Sequence, residues 1–322
     1  TEHALNDAFV VQFNGNAPQL AITNPTPEAS LASEHLFSYD YVYDPESTSE
    51  QVYKDMGAPL VDSLFDGFNG SVFAYGQTGS GKTHSMMGSA DDPGLVPRVC
   101  KAIFERIDAM AEAEGTSVQV HASYLQIYRE VLQDLLSKSD DDLKIRRDPR
   151  MGTYVQGLSE HELTSAARLQ ALIDQGNKKR AVASTLMNSE SSRSHAVVII
   201  RVVQDTKGVA GVAKRQTTSK INLVDLAGSE RAAKTGASGD TLKEGIAINQ
   251  SLSALGNVIN ALTDSKKAGG HIPYRSSKLT HLLEECLGGN SITAMLAAIS
   301  PAARNYAETV NTLQYAQRAK LI

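Results

Sequence analysis

The chain has 322 residues, of which 41% are hydrophobic and 21% charged, with 10 Pro and 24 Gly. That is enough apolar material for a sizeable core, and it excludes collagen-like, disordered and disulfide-scaffold classes. Lys and Arg number 31 against 36 Asp and Glu, a net charge of −5, so the whole molecule is no polycation and nucleic acid is disfavoured as a partner.

The elements expected from the pattern follow in chain order. TEHALNDAF at the start has neither the basic n-region nor the apolar h-region of a signal peptide. Ser71–Tyr75 reads as a buried strand, and helical periodicity covers Thr83–Met87 and Val96–Glu112. Val118, Val120, Ala122 and Tyr124 alternate as a strand, and Ser165–Asn177 reads as a helix. His195–Val203 and Lys220–Leu226 are two further strands, followed by a helix over Leu242–Leu262. Within it, Gly245–Thr263 is uncharged, yet Asn249, Gln250, Ser251, Ser253, Asn257 and Asn260 are too polar for lipid. Ile248, Leu252, Leu255, Ile259 and Leu262 form one apolar stripe there, the mark of an amphipathic helix and not of a membrane span. Ile292–Ile299 is a last strand, stopped near Pro301, and Tyr306–Ile322 a last helix.

No repeat or linker divides the chain. Alternating strands and helices predict one α/β domain, with a mostly parallel or mixed central sheet flanked by helices on both faces. Cys100 and Cys286 belong to no CxxC or Cys/His cluster, which points to a reducing compartment and away from structural zinc.

Gly76-Gln77-Thr78-Gly79-Ser80-Gly81-Lys82-Thr83 fits the phosphate-binding pattern G-x-x-x-x-G-K-[ST], between an apolar strand and a helix. Its glycines let backbone N–H groups curl around phosphate oxygens, Lys82 reaches the β/γ-phosphates, and the Thr83 hydroxyl suits Mg²⁺. A glycine-rich turn is the bland alternative. Ile221–Val224 is an apolar strand ending in Asp225, a carboxylate able to hold the metal's water shell, and Gly228 follows with a free N–H. Asp and Gly are also ordinary turn residues, so this second motif draws its weight from Lys82.

With these stretches in view the sequence resembles the kinesin motor domain along nearly its whole length. The matching segments are Ala74–His84, Asn188–His195, Asp225–Glu230, Ile248–Leu262, Ile272–Ser291 and Asn311–Lys320. Phe37–Tyr41 and Ser194–Val197 look somewhat like the kinesin-3 group. The resemblance implies a P-loop NTPase fold and a microtubule-stimulated ATPase that uses ATP/ADP and Mg²⁺. It assigns Ser191, Ser192 and Arg193 to switch I, and Gly228 and Glu230 to switch II. Arg193 would pair with Glu230 over the γ-phosphate. Thr83, Ser192 and Asp225 would serve the metal, and His84 would stack on adenine. An ordinary surface ion pair and a solvated serine-rich loop are the bland readings of the same residues. The family's first strand ends in Arg-x-Arg-Pro; this chain begins at what resembles the region just after it, and Ile322 falls where the neck linker would start.

An acidic filament needs a basic face on this acidic chain. Lys266, Lys267, Arg275 and Lys278 lie in one run without an acid, and Lys144, Arg146, Arg147 and Arg150 in another beside Asp148. With Lys234 after switch II, these match the family's microtubule-facing loops; solvated loops are the bland reading. Gln250 and His281 stand where many relatives carry basic residues. The expected localisation is cytoplasmic, on the microtubule cytoskeleton, with no membrane contact, and the fragment is expected to be monomeric because no heptad run is present. A tubulin-binding module without useful turnover, or another P-loop enzyme such as a nucleotide kinase, are the competing functions.

Overall fold

The computed structural model describes residues 7–15, 17–26, 34–111, 116–139, 143–149, 152–186, 191–206, 215–230, 240–264 and 270–322. Three short strands open the chain: β1 (Val11–Phe13), β2 (Gln19–Thr23) and β3 (Glu34–Ser38), paired antiparallel in that order. Their alternation buries Val11, Leu20, Ile22 and Phe37 beside Leu313, a small core of its own. Next come α1 (Ser49–Val52), a π-helical turn at Tyr53–Gly57, and α2 (Ala58–Phe65). β4 (Asn69–Tyr75) then leads to α3 (Lys82–Met87) and α4 (Leu95–Ala111).

The middle of the chain supplies β5 (Thr116–Tyr128), β6 (Val131–Asp134), a separate hairpin of β7 (Lys144–Asp148) and β8 (Gly152–Gln156), β9 (His161–Leu163) and α5 (Ala166–Leu186). β10 (His195–Thr206) and β11 (Arg215–Asp225) precede the 24-residue α6 (Asp240–Thr263). The chain closes with α7 (Lys278–Leu282), β12 (Ser291–Ala297) and α8 (Tyr306–Ala319).

The central sheet runs β12-β4-β11-β10-β5-β6, with β9 also on β5. β4 is parallel to β11 and to β12, while β10 is antiparallel to both β11 and β5. The sheet is therefore mixed, within the expected range of a mostly parallel or mixed one. Apolar periodicity reports which faces of a strand are buried; it carries no information about a neighbour's direction.

Burial on both faces explains the unbroken apolar strands. Val72 and Ala74 of β4 pack with α2, α4 and α5 on one side, through Leu60, Leu64, Val99 and Leu172. Phe73 and Tyr75 pack with α6, α7 and α8 on the other, through Leu255, Ile259, Leu279 and Tyr315. Of the predicted α6 stripe, Leu252, Leu255 and Ile259 are buried and Leu262 is half-buried against the same core. Each fully buried Leu or Ile contributes about 1.5–3 kcal/mol, so this face anchors α6 under the sheet. Among the described residues β12 is the sheet's edge, and it helps line a groove of roughly 1110 Å³ whose walls also include His84 and Ile322. Among the described residues no helix is long and apolar enough to cross a membrane.

Candidate functional site

β4 delivers the loop Gly76–Gly81 to the mouth of the sheet, and the loop closes into α3 at Lys82. Gly76 has φ +150°, and a Cβ there would lie 2.0 Å from the Ala298 carbonyl oxygen, so the turn passes too close to the end of β12 for any side chain. Gly79 and Gly81 have φ +80° and +103°, and a Cβ on either would meet nothing within 4 Å. The loop thus curls around open space. Ser80 Oγ and Lys82 Nζ both donate to the Gln77 carbonyl at 2.8 Å, which holds the loop curled.

Lys82 is 7% exposed, and burial lowers its pKa against the opposing pull of Asp225 and Glu230. A buried ammonium resting on one carbonyl is short of counter-charge, the condition of a group built to meet a phosphate. Thr83 Oγ1 donates to Asp225 Oδ2 at 2.6 Å, so the expected pair of metal-serving residues is in contact. Asp225 is 4% exposed, burial raises its pKa, and its Oδ1 is buried with no hydrogen bond. That orphaned oxygen beside a threonine hydroxyl fits the water shell of a hard cation such as Mg²⁺.

The two segments expected as switches, around Ser191–Arg193 and Gly228–Glu230, converge on this loop. Ser191–Arg193 form a single 3₁₀ turn, and Gly228 N–H donates to the Ser192 carbonyl at 2.8 Å. Ser229 N–H donates to the Gly76 carbonyl at 3.1 Å. The Glu230 carboxylate accepts from Thr78 N–H at 2.8 Å and from Thr78 Oγ1 at 2.5 Å, a clasp between switch II and the phosphate loop that the sequence reading did not anticipate. Arg180 was missed as well. The helix expected to end at Asn177 continues to Leu186, and the buried Arg180 on it donates Nε to Ser194 Oγ at 3.1 Å and Nη2 to the Ser194 carbonyl at 2.9 Å. No sequence signal marked it, since its burial is visible only in the folded chain. His195 is buried too, and burial beside Arg180 and Lys82 pushes its imidazole down to about 3. His84 is exposed on α3 and lines the same groove as Tyr41 and Pro45.

The cations expected at a filament come together where the β7–β8 hairpin meets α7. Lys144, Arg146 and Arg147 are exposed on β7, and Arg275 and Lys278 are exposed beside and on α7. The hairpin is tied down by Arg147 Nη1 to Glu284 at 3.2 Å and by Thr153 N–H to Glu285 Oε1 at 2.6 Å. Glu285 also pairs with Lys220 at 2.8 Å. Glu130 caps the start of α7 through Lys278 N–H at 2.6 Å. Acids therefore interleave with this patch to a degree the linear charge runs concealed. Arg150, Lys234, Lys266 and Lys267, and the Ser191 side chain, lie outside the described residues.

The model of the kinesin motor domain matches residues 3–322. The chain is 45% identical over its whole length to the kinesin-like protein KIF13A of Mus musculus, and 49% identical over 91% of its length to the chromosome-associated kinesin KIF4 of Xenopus laevis. It spans 19% and 24% of the length of those two relatives. Among solved structures it superposes on KIF14 bound to AMP-PNP in complex with a microtubule, with a TM-score of 0.88, 41% identity, and coverage of 100% of this chain and 90% of that one. A fast kinesin superposes equally, with a TM-score of 0.88, 41% identity and coverage of 99% and 87%. With the family model covering nearly the whole chain and relatives 45% and 49% identical, the chain belongs to the kinesin motor-domain family.

Proposed function

We propose that this domain is an ATP-driven microtubule motor unit that binds Mg·ATP in the Gly76–Thr83 loop and hydrolyses its β–γ bond. The observation that carries the reading is the meeting of three segments at one point: Gly228 on Ser192, Ser229 on Gly76, and Glu230 on Thr78. Kinesin motor domains are microtubule-stimulated ATPases.

In this reading Lys82 leaves the Gln77 carbonyl for the β/γ-phosphate oxygens. Gly76–Gly81 supply backbone N–H groups, with Gln77, Thr78 and Ser80 shaping the loop. Thr83, Ser192 and Asp225 would hold Mg²⁺, Asp225 through water, and the cation would supply neutralisation of phosphate charge. Gly228 N–H senses the γ-phosphate, Ser191 and Ser192 offer hydroxyls to it, and Arg193 pairs with Glu230 to close the pocket over the attacking water. His84 covers the purine.

The filament face is built on Arg275, Lys278, Lys144, Arg146 and Arg147, with Arg150, Lys234, Lys266 and Lys267 joining it. The domain is cytoskeletal, works in the cytoplasm as a monomeric fragment, and needs neither nucleic acid nor membrane. ATP turnover measured with and without microtubules tests the reading. Stimulation by microtubules is expected; basal turnover with no stimulation would favour another P-loop enzyme, and no turnover in either condition a passive tubulin-binding module.

A further inference from the structure

His195 opens β10, three residues after Ser192, and is 3% exposed. Its Nδ1 lies 3.0 Å from the main-chain nitrogen of Ala227, and its Nε2 lies 2.8 Å from Ser251 Oγ on α6. The first contact fixes the tautomer. A ring nitrogen that accepts from a backbone N–H carries no proton, so the proton sits on Nε2 and is donated to Ser251. One rigid ring therefore bridges three segments: the strand that leaves switch I, the Asp225–Gly228 stretch of switch II, and α6.

Both ends of the bridge are enclosed. Ala227 is 1% exposed and Ser251 3%. Ala227 also precedes Gly228, whose N–H holds the Ser192 carbonyl at 2.8 Å. A displacement of the Asp225–Gly228 backbone must either carry the ring with it or leave a buried N–H without a partner, and the second course is the costlier. The ring in turn pulls on a hydroxyl fixed to α6, whose Leu252, Leu255 and Ile259 are locked into the layer beneath the sheet. Such a helix moves as a body more readily than it deforms.

We propose that His195 is a positioning residue that transmits the arrangement of the two switch segments to α6 through Ser251. The proposal rests on the nucleotide-site reading above, and it deepens that reading by naming the side chain that carries the signal. His195 takes no part in bond making; its effect runs through Ala227 on one side and Ser251 on the other.

The test compares the parent chain with Ser251→Ala, His195→Asn and the double variant. Asn keeps an amide oxygen near the Nδ1 position for Ala227 but does not reach Ser251. The first measurement is hydrogen exchange across α6 with ADP and with a non-hydrolysable ATP analogue; the second is nucleotide affinity. The parent is expected to show a nucleotide-dependent difference in α6. Ser251→Ala is expected to lose at least half of that difference while its affinity for either nucleotide stays within twofold. The double variant should lose no more than either single change, because both cut the same link. Microtubule-stimulated turnover of Ser251→Ala should fall at least fivefold, with its basal turnover within twofold of the parent. A full parental exchange difference in Ser251→Ala overturns the proposal, as does a double variant whose loss is the product of the two single losses. Should His195→Asn fail to fold, Ser251→Ala decides the matter alone. A parent chain that binds no nucleotide overturns the site reading itself, which the affinity measurement detects separately.

Discussion

Thr78→Ala isolates the clasp between Glu230 and the phosphate loop. The substitution removes the hydroxyl that donates to Glu230 Oε1 at 2.5 Å and leaves the backbone N–H that donates to Oε2 at 2.8 Å. A hydrogen bond to a charged group contributes about 1.5–3 kcal/mol when sheltered from water. Thr78 is exposed and Glu230 only half-buried, so solvent screening reduces the figure to about 1 kcal/mol. If Glu230 must leave Thr78 to pair with Arg193, the open arrangement loses that much relative to the closed one, and the closed population rises about fivefold. Single-turnover hydrolysis by rapid quench should then accelerate by up to about fivefold at saturating Mg·ATP. Glu230→Ala is the control: it frees Thr78 too, yet binds nucleotide without turning it over. A Thr78→Ala chain that hydrolyses at the parental rate or more slowly, with ATP affinity unchanged, refutes the idea that this clasp opposes closure.

Lys82→Ala or Thr83→Asn should abolish Mg·ATP binding in equilibrium titration, since no backbone amide replaces the ammonium or the hydroxyl at Asp225; parental affinity in either would remove the P-loop assignment. Reversing Arg275 and Lys278 together to Glu should weaken microtubule co-sedimentation by roughly tenfold or more at low salt, with a smaller effect at high salt. Unchanged co-sedimentation would shift the interface towards the Lys144–Arg147 hairpin. Acid should destabilise the fold through His195, whose imidazole falls from 6.5 to about 3 on burial near Arg180 and Lys82. Below pH 6.5 the unfolded chain binds a proton that the folded one refuses, so this contribution is fully present above 6.5 and drains away by about 1.4 kcal/mol per pH unit as pH falls towards 3. Denaturant unfolding of the parent between pH 6.5 and 5 should accordingly show a steeper pH slope than His195→Asn, and equal slopes would count against a neutral buried ring.

Much of this molecule is written locally. The phosphate loop is legible because its chemistry is backbone chemistry: glycines at fixed offsets permit a curl that other residues forbid, and Lys82 and Thr83 follow within the same turn. β4, β10, β11 and α6 are legible because burial on a fixed face repeats with the period of the strand or helix. The short strands β1 to β3 and the hairpin of β7 and β8 escaped notice, since three to five residues give too few repeats to define a period.

Contacts between distant segments were decided only by the tertiary structure. Glu230 lies 152 positions from Thr78, Ser251 lies 56 from His195, and Glu284 lies 137 from Arg147. In the linear chain Glu230 reads as an arginine's partner and Arg147 as a free filament-binding cation. Packing also places Thr78 beside Glu230 and Glu284 beside Arg147. Strand direction followed the same rule: β10 could have run either way on its alternation alone, and its antiparallel ladders to β5 and β11 arise from how the layers close. A residue's own type and spacing settle what it can bond to and which face it buries. Which of several chemically adequate partners it meets is a property of the assembled layers, because charge and hydrogen-bond complementarity are not unique to one pair.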